Sequence, residues 1–432
     1  MERKTPVLIG KDIDWRLLGV TGLVISFQFM LPSKTSFNLP VLAMALFAIA
    51  LTWRHGTQFL TRKAWQWLVV LFACLWFPMI VAALDAVDGS RTLIVTSLYP
   101  RFLLAGLFVL WVLQNERARR WVTLAAFYLV ALWTVDALVQ YVVGWNILGY
   151  RYDSGQLRGV FGPKYRLGLS LAMFLPLVLD VVLRQRLVHR AWSLLVPAML
   201  VVIALTLHRN SWVMSAVALL LYSAFLLFYV GWRPRLRGVL AGVFAGVILV
   251  GVASTQSTVV SRFSPAFNAL MDSPEVLEAQ LGQRPDIWRT AIRMFEGNLM
   301  NGVGPRGFRT AYEEHAVHDD YWMNLDPPQT PAHPHQIFLE IAAETGVVGI
   351  AGYIALWLVL GLAFARARRP SALRAAPWLL GFVITVFPTN ISKAFYSSAT
   401  ASLAWWMLLV GLAFLTTSDA ADDTRSDDGA TA

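Results

Sequence analysis

Two histidines, His333 and His335, lie in Pro331-Ala-His-Pro-His-Gln-Ile-Phe-Leu-Glu340, where a long polar interruption turns back into apolar sequence. Imidazole exchanges a proton near neutral pH and also ligates metals, so the pair suits a general base or half of a metal site. No clear third ligand stands at metal spacing, and Asp319-Asp320 reads as a solvated acidic pair, so the expectation is a metal-free site without a cofactor. His335 could also do no more than cap the segment that follows. The other chemistry-bearing groups are guanidinium. Arg209 sits in the abrupt turn Thr206-Leu-His-Arg-Asn-Ser-Trp212, and Arg284 opens Gln283-Arg-Pro-Asp-Ile-Trp288. The planar fork of arginine matches phosphate oxygens two at a time. These residue types together favour the handling of a phosphate or pyrophosphate, with a proton acceptor beside it.

Two glycine-bearing stretches accompany them. Arg158-Gly-Val-Phe-Gly-Pro-Lys-Tyr-Arg-Leu-Gly168 brings Arg158, Lys164 and Arg166 to the entry of an apolar segment, with glycines that allow close backbone approach to a ligand. Asn298-Leu-Met-Asn-Gly-Val-Gly-Pro-Arg-Gly-Phe308 lacks the Lys-Ser/Thr of a phosphate-binding P-loop and reads as a turn that shapes the loop. From Pro285, apolar residues at Ile287, Trp288, Ala291, Ile292 and Phe295 fall at helical spacing, with a basic opposite face.

The elements that must position these groups are membrane spans. The chain is 57% hydrophobic and 14% charged with a mean hydropathy of +0.56, which predicts an all-α polytopic membrane protein. Apolar stretches of bilayer length can be laid out as about twelve spans: nine within 1–254 and three within 336–417. Between them, 255–335 forms one large, partly helical loop, and 418–432 is a polar tail expected to be disordered. The net charge of +10 belongs mainly to short loops, which excludes nucleic acid as its reason. Arg54/Arg62/Lys63, Arg117/Arg119/Arg120, Arg184/Arg186/Arg190, Arg233/Arg235/Arg237 and Arg366/Arg368/Arg369/Arg374 alternate onto one side, the cytoplasmic one by the positive-inside rule. The large loop then lies outside. Residues 1–16 are basic and lack a cleavage site before Pro32, which predicts an uncleaved first span. The single Cys74 cannot make an internal disulfide. The remaining cations, Lys34, Arg101, Arg209 and Arg284 among them, oppose the charge rule, which predicts a cationic extracytoplasmic cavity for a lipid-linked phosphate or pyrophosphate. Snorkelling to headgroups is the alternative for any one of them.

In order and spacing, Arg158-Gly-Val-Phe-Gly, the Arg209 turn, Arg284-Pro-Asp-Ile-Trp, Asn301-Gly-Val-Gly-Pro-Arg-Gly-Phe308 and His335-Gln-Ile-Phe-Leu-Glu with Glu344-Thr-Gly346 resemble the O-antigen ligase and polymerase superfamily of bacterial envelopes. The resemblance covers about 158–350 and departs from the family pattern at Gln336 and His208. It implies a GT-C-like bundle in the inner membrane, with a donor polysaccharide on undecaprenyl pyrophosphate and a lipid A-core acceptor on the periplasmic face. Arg209, Arg284 and His335 occupy positions matching the family's functional residues. His335 is then expected to act as general base and the two arginines to bind the departing pyrophosphate, with inversion at the anomeric carbon. Arg158, Lys164, Arg166 and His333 are expected in the same substrate cavity. An O-antigen polymerase and an O-linked protein oligosaccharyltransferase share that donor and remain open. A transporter of the lipid-linked glycan is disfavoured because the chain shows no internal symmetry.

Overall fold

A computed structural model describes residues 14–56, 58–152, 156–162, 166–185, 187–231, 283–387 and 394–417. The expected span at 236–254, the first part of the expected loop (255–282), Lys164, the basic residues before Asp14 and the 418–432 tail lie outside the described residues. Among the described residues the chain is all-helical, with one isolated β-bridge, Trp145 to Arg151, and no strand. In chain order the α-helices are α1 (Trp15–Met30), α2 (Asn38–His55), α3 (Arg62–Ala82), α4 (Gly89–Leu98), α5 (Arg101–Val112), α6 (Glu116–Val143) and α7 (Leu167–Leu179). They continue with α8 (Leu195–Leu205), α9 (Arg209–Ala224), α10 (Arg284–Gly297), α11 (Phe308–His315), α12 (Ile337–Ala365), α13 (Arg369–Val386) and α14 (Ser398–Thr416).

Among the described residues seven helical stretches are long and apolar enough to cross a membrane: Arg62–Ala82, Gly89–Val112, Glu116–Val143, Leu167–Gln185, Arg209–Val230, Ile337–Ala365 and Ser398–Thr416. Five of them start on a side-chain cap, from Thr61, Asp88, Asn115, Gln336 and Ser397. Asn115 accepts from the Arg117 and Ala118 amides at 2.9 and 3.4 Å, and Ser397 accepts from the Thr400 amide at 3.4 Å, relieving amides that a helix leaves unpaired. The expected span 93–113 corresponds to one of these stretches, Gly89–Val112, which is interrupted between α4, ending at Leu98, and α5, starting at Arg101, because Pro100 has no amide proton and its ring clashes with the preceding turn.

The bundle centres on α7 and α14, each with 83% of its membrane-length window buried, against 28% for α12. α14 packs on α13 and carries Trp405, whose Nε1 donates to the Tyr99 hydroxyl at 2.9 Å and whose ring stacks on Phe102. Large side chains such as Leu39, Phe228 and Leu358 stand exposed on outer helix faces, surfaces suited to lipid rather than water.

A second, smaller core lies outside this cluster. Ile287, Ala291 and Met294 of α10 meet Phe308, Ala311 and Tyr312 of α11 and Ala343 of α12. The expected α10 helix is present, but its buried stripe is turned away from Ile292, which is 44% exposed. Buried Asp286 and Thr290 take that place because the core includes polar partners for them: Tyr321 N–H donates to Asp286 at 3.1 Å and Thr290 Oγ1 to Asp320 at 3.5 Å.

α12 is kinked at Gly346, with φ 62° and ψ −157°. In an unbroken helix the Val347 and Val348 amides would bond to the Ala343 and Glu344 carbonyls. Here Val347 and Val348 donate instead to the Leu299 and Met300 carbonyls at 2.8 and 3.2 Å, while Val303 and Gly304 donate to the Ala343 and Glu344 carbonyls at 2.8 and 3.0 Å. The glycine-rich stretch thus crosses α12 and takes over two opened helix bonds. Glycine is required on both sides: a Cβ on Gly346 would lie 2.4 Å from Met300 C, and one on Gly302 2.5 Å from Ala343 O.

Candidate functional site

The histidine turn is held by its own backbone. His335 N–H donates to His333 Nδ1 at 3.1 Å, and the two rings lie 4.0 Å apart between centroids. A nitrogen that accepts this bond carries no proton, so neutral His333 bears its hydrogen on Nε2. Gln336, not His335, caps α12 by accepting from the Leu339 amide. The glutamine that departs from the family pattern performs a cap's work, and the His335 ring is released from it. His335 itself has φ 56°, a left-handed conformation that side chains seldom adopt and that surrounding contacts must impose.

The two arginines each begin a helix, α9 and α10, and each follows a residue in the same unusual conformation within two positions: Leu207 at φ 52° and Gln283 at φ 55°. Burial and the Arg209 charge lower the proton affinity of the Arg284 guanidinium. Residues 75 positions apart are therefore in one another's field. The Trp288 indole, one turn along α10 from Arg284, donates to the Pro334 carbonyl at 3.0 Å and fastens this helix to the histidine turn. Trp322 Nε1 donates to the Gln283 carbonyl at 3.1 Å, pinning the residue before Arg284.

The Arg209 turn is placed differently. Gly168 of α7 lies so close that a Cβ there would stand 2.6 Å from both Ser211 Oγ and Thr206 Oγ1. Leu157 N–H donates to the Leu205 carbonyl at 3.1 Å, which ties the Arg158 stretch to the end of α8. Gln140 Oε1 accepts from the Gly159 amide at 2.7 Å and the Arg158 amide at 3.3 Å. Arg166, one residue before α7, lines a small cavity of about 50 Å³ with Ser170, Met214 and Thr385. Burial lowers its proton affinity too, and its Nη1 is buried without a hydrogen-bond partner among the described residues. Arg158 and Arg166 thus flank the Arg209 turn through the segments that hold it.

Three buried carboxylates were not singled out from sequence as site groups. Glu344 accepts from the Arg306 and Phe308 amides at 2.7 and 3.4 Å, and Glu340 from the Phe395 and Tyr396 amides at 2.9 and 3.3 Å. Two acids four residues apart in apolar sequence are themselves a signal of intramembrane function or anchoring. The Asp319-Asp320 pair divides: Asp319 is exposed as expected, whereas Asp320 is fully buried. Asp320 accepts from the Tyr312 hydroxyl at 2.9 Å and the Trp322 and Met323 amides at 2.9 and 3.0 Å, satisfying a carboxylate that burial would otherwise penalise. Burial and this carboxylate raise the Tyr312 hydroxyl well above the usual phenol range. Among the described residues no three His, Cys, Asp or Glu side chains gather as a metal set.

No curated protein matches the chain. A family model described as O-antigen ligase matches residues 194–354, the stretch that carries Arg209, Arg284, His333 and His335.

Proposed function

We propose that this protein transfers a polysaccharide from undecaprenyl pyrophosphate to lipid A-core in lipopolysaccharide biosynthesis. The family match supports a glycosyltransferase of the O-antigen ligase or polymerase type with lipid-linked substrates. What supports the finer reading is that Arg209 and Arg284 each begin a helix and that the Arg209 charge acts on the Arg284 guanidinium. Like charges held together disfavour one another, and a bound pyrophosphate offers both of them an opposite charge and bidentate oxygens. The amide ends of α9 and α10 add partial positive charge at the same two residues.

In the proposed reaction the acceptor hydroxyl oxygen forms a bond to the anomeric carbon while the bond to the pyrophosphate oxygen breaks. His335 takes the hydroxyl proton, and Arg209 and Arg284 hold the charge that develops on undecaprenyl pyrophosphate. One displacement inverts the anomeric centre, and no glycosyl-enzyme forms. The arginines supply the charge stabilisation, so the step needs no metal or other cofactor. Arg158, Lys164, Arg166 and His333 bind substrate around it. The protein spans the inner membrane about twelve times with both ends cytoplasmic, and 255–335 lies over the site on the periplasmic face.

The test is transfer by the purified protein from undecaprenyl-pyrophosphate polysaccharide to lipid A-core. Loss of that transfer in His335→Ala, with inverted product from the wild type, is expected. A trapped covalent glycosyl-enzyme, or wild-type transfer by His335→Ala, overturns the mechanism. In a strain lacking the protein, lipid-linked polymer should accumulate unattached. Missing polymer points to a polymerase instead, polymer missing from glycoprotein to a protein oligosaccharyltransferase, and polymer retained inside to a transporter. A cysteine placed at exposed Asp319 should label from outside the inner membrane.

A further inference from the structure

A groove of about 360 Å³ runs between α2, α4, α5 and α14, lined by none of the site residues above. Its walls are apolar and open: Leu39, Leu42, Ile94 and Leu98 are all exposed. Arg101 stands among them. Its Nη1 donates to the Leu98 carbonyl at 2.9 Å, its Nη2 to Ser398 Oγ at 3.2 Å, and its Cζ lies 4.5 Å from the Phe102 ring centroid. Its Nε is buried without a hydrogen-bond partner, and among the described residues Arg101 makes no ion pair. A guanidinium in apolar surroundings with no carboxylate beside it calls for an anion from elsewhere.

Asn38, Arg101 and Ser398 are the first residues of three helices, and Ser398 Oγ donates to Asn38 Oδ1 at 2.7 Å. The guanidinium therefore sits at the shared end of those three helices, with the groove walls beside it. The groove also reaches towards the reaction. Tyr396 lines it, and the Tyr396 amide is held by Glu340, which lies five residues beyond His335 on α12.

We propose that this groove seats the lipid of the acceptor, with acyl chains along Leu39, Leu42, Ile94 and Leu98 and a lipid phosphate on Arg101. Charge complementarity selects a phosphorylated lipid, and the Tyr396–Glu340 contact brings its sugar end towards the helix that begins after His335. The assignment rests on the ligase reading for the identity of that lipid.

The test uses three probes on the purified full chain: diphosphorylated lipid A, the same lipid with its phosphates removed, and phosphatidylglycerol. Diphosphorylated lipid A should bind the wild type, and Arg101→Gln should weaken it by about tenfold or more, the loss of charge-assisted hydrogen bonds. Arg101→Lys, a point charge without the fork, should fall between the two. Leu42→Trp, which fills the groove and keeps the arginine, should also lose the lipid. In transfer assays Arg101→Gln should raise the acceptor KM and leave the donor KM unchanged. Undiminished binding by both Arg101→Gln and Leu42→Trp, equal binding of the dephosphorylated lipid, equal competition by phosphatidylglycerol, or a raised donor KM each overturns the proposal. Arg101-dependent binding of lipid A by a wild type that transfers nothing to it brings down the ligase reading and leaves the lipid site standing.

Discussion

Arg209 and Arg284, which we propose share one anionic site, are placed by opposite means. The Arg209 turn is fixed by volume: Gly168 of α7 lets Thr206 and Ser211 approach to a distance that no side chain could share. The start of α10 is fixed by hydrogen bonds, from Trp322 to the Gln283 carbonyl, from the Tyr321 amide to Asp286, and from Trp288 to the Pro334 carbonyl. The difference follows from surroundings. Between apolar spans, close packing sets position without desolvating further polar groups. In the cap, the small core of α10, α11 and the start of α12 has little area to bury, and directional bonds supply the geometry. Precision in one region depends on the absence of atoms and in the other on the presence of particular donors.

Substitutions can break the two supports separately. The largest effect is expected at the histidine turn: His335→Ala should insert normally and lose about 10²–10⁴-fold in transfer, while His333→Ala retains more. Next, Arg209→Ala and Arg284→Ala should each lose about 10²–10³-fold in kcat, and neither lysine variant should recover fully, because the bidentate fork is gone. Transfer at the wild-type rate by both alanine variants sinks the shared-anion reading. Gly168→Val should cripple the Arg209 turn and leave cap stability, read by proteolysis of 283–335, unchanged. Asp320→Asn should do the reverse, loosening the cap through Tyr312, Trp322 and Met323 while the bundle keeps its melting temperature. Equal damage to both regions by either substitution erases the distinction. The smallest effect should come from Trp288→Phe, which keeps the ring and removes one hydrogen bond. About 1 kcal/mol is at stake, a severalfold loss of activity measurable as a change in kcat.

The helices were legible because hydropathy and 3.6-residue periodicity are local properties. So was the α10 helix, although its exposed Ile292 shows that periodicity alone does not orient a helix beside a small polar core. The α4–α5 break was written in Pro100, but an apolar run of span length concealed it. Arg209, Arg284 and His335 stood out in the sequence by residue type and position, and their joint role is what the substitutions above test. The partners of the buried acids were not legible: Glu340, Glu344 and Asp320 accept mostly from backbone amides, which every residue but proline owns, so no pattern of side chains announces them. Asp320 was read as solvated for that reason. The glycines at 302 and 346 were visible, yet what they accommodate is another stretch of backbone.

The crossing at Gly346 has a consequence for assembly in the cell. The chain is made from its N-terminus, so residues 299–304 emerge before the stretch 343–348 whose carbonyls and amides they must meet. Until that later stretch has entered the membrane, the four exchanged bonds have no partners, and α10 lacks its anchorage through Pro334 as well. Arg209, on an earlier helix, is in place sooner. A chain stalled before that stretch can therefore present one arginine but neither the second nor the histidine turn in place, and the candidate site is complete only after residues 343–348 have been made.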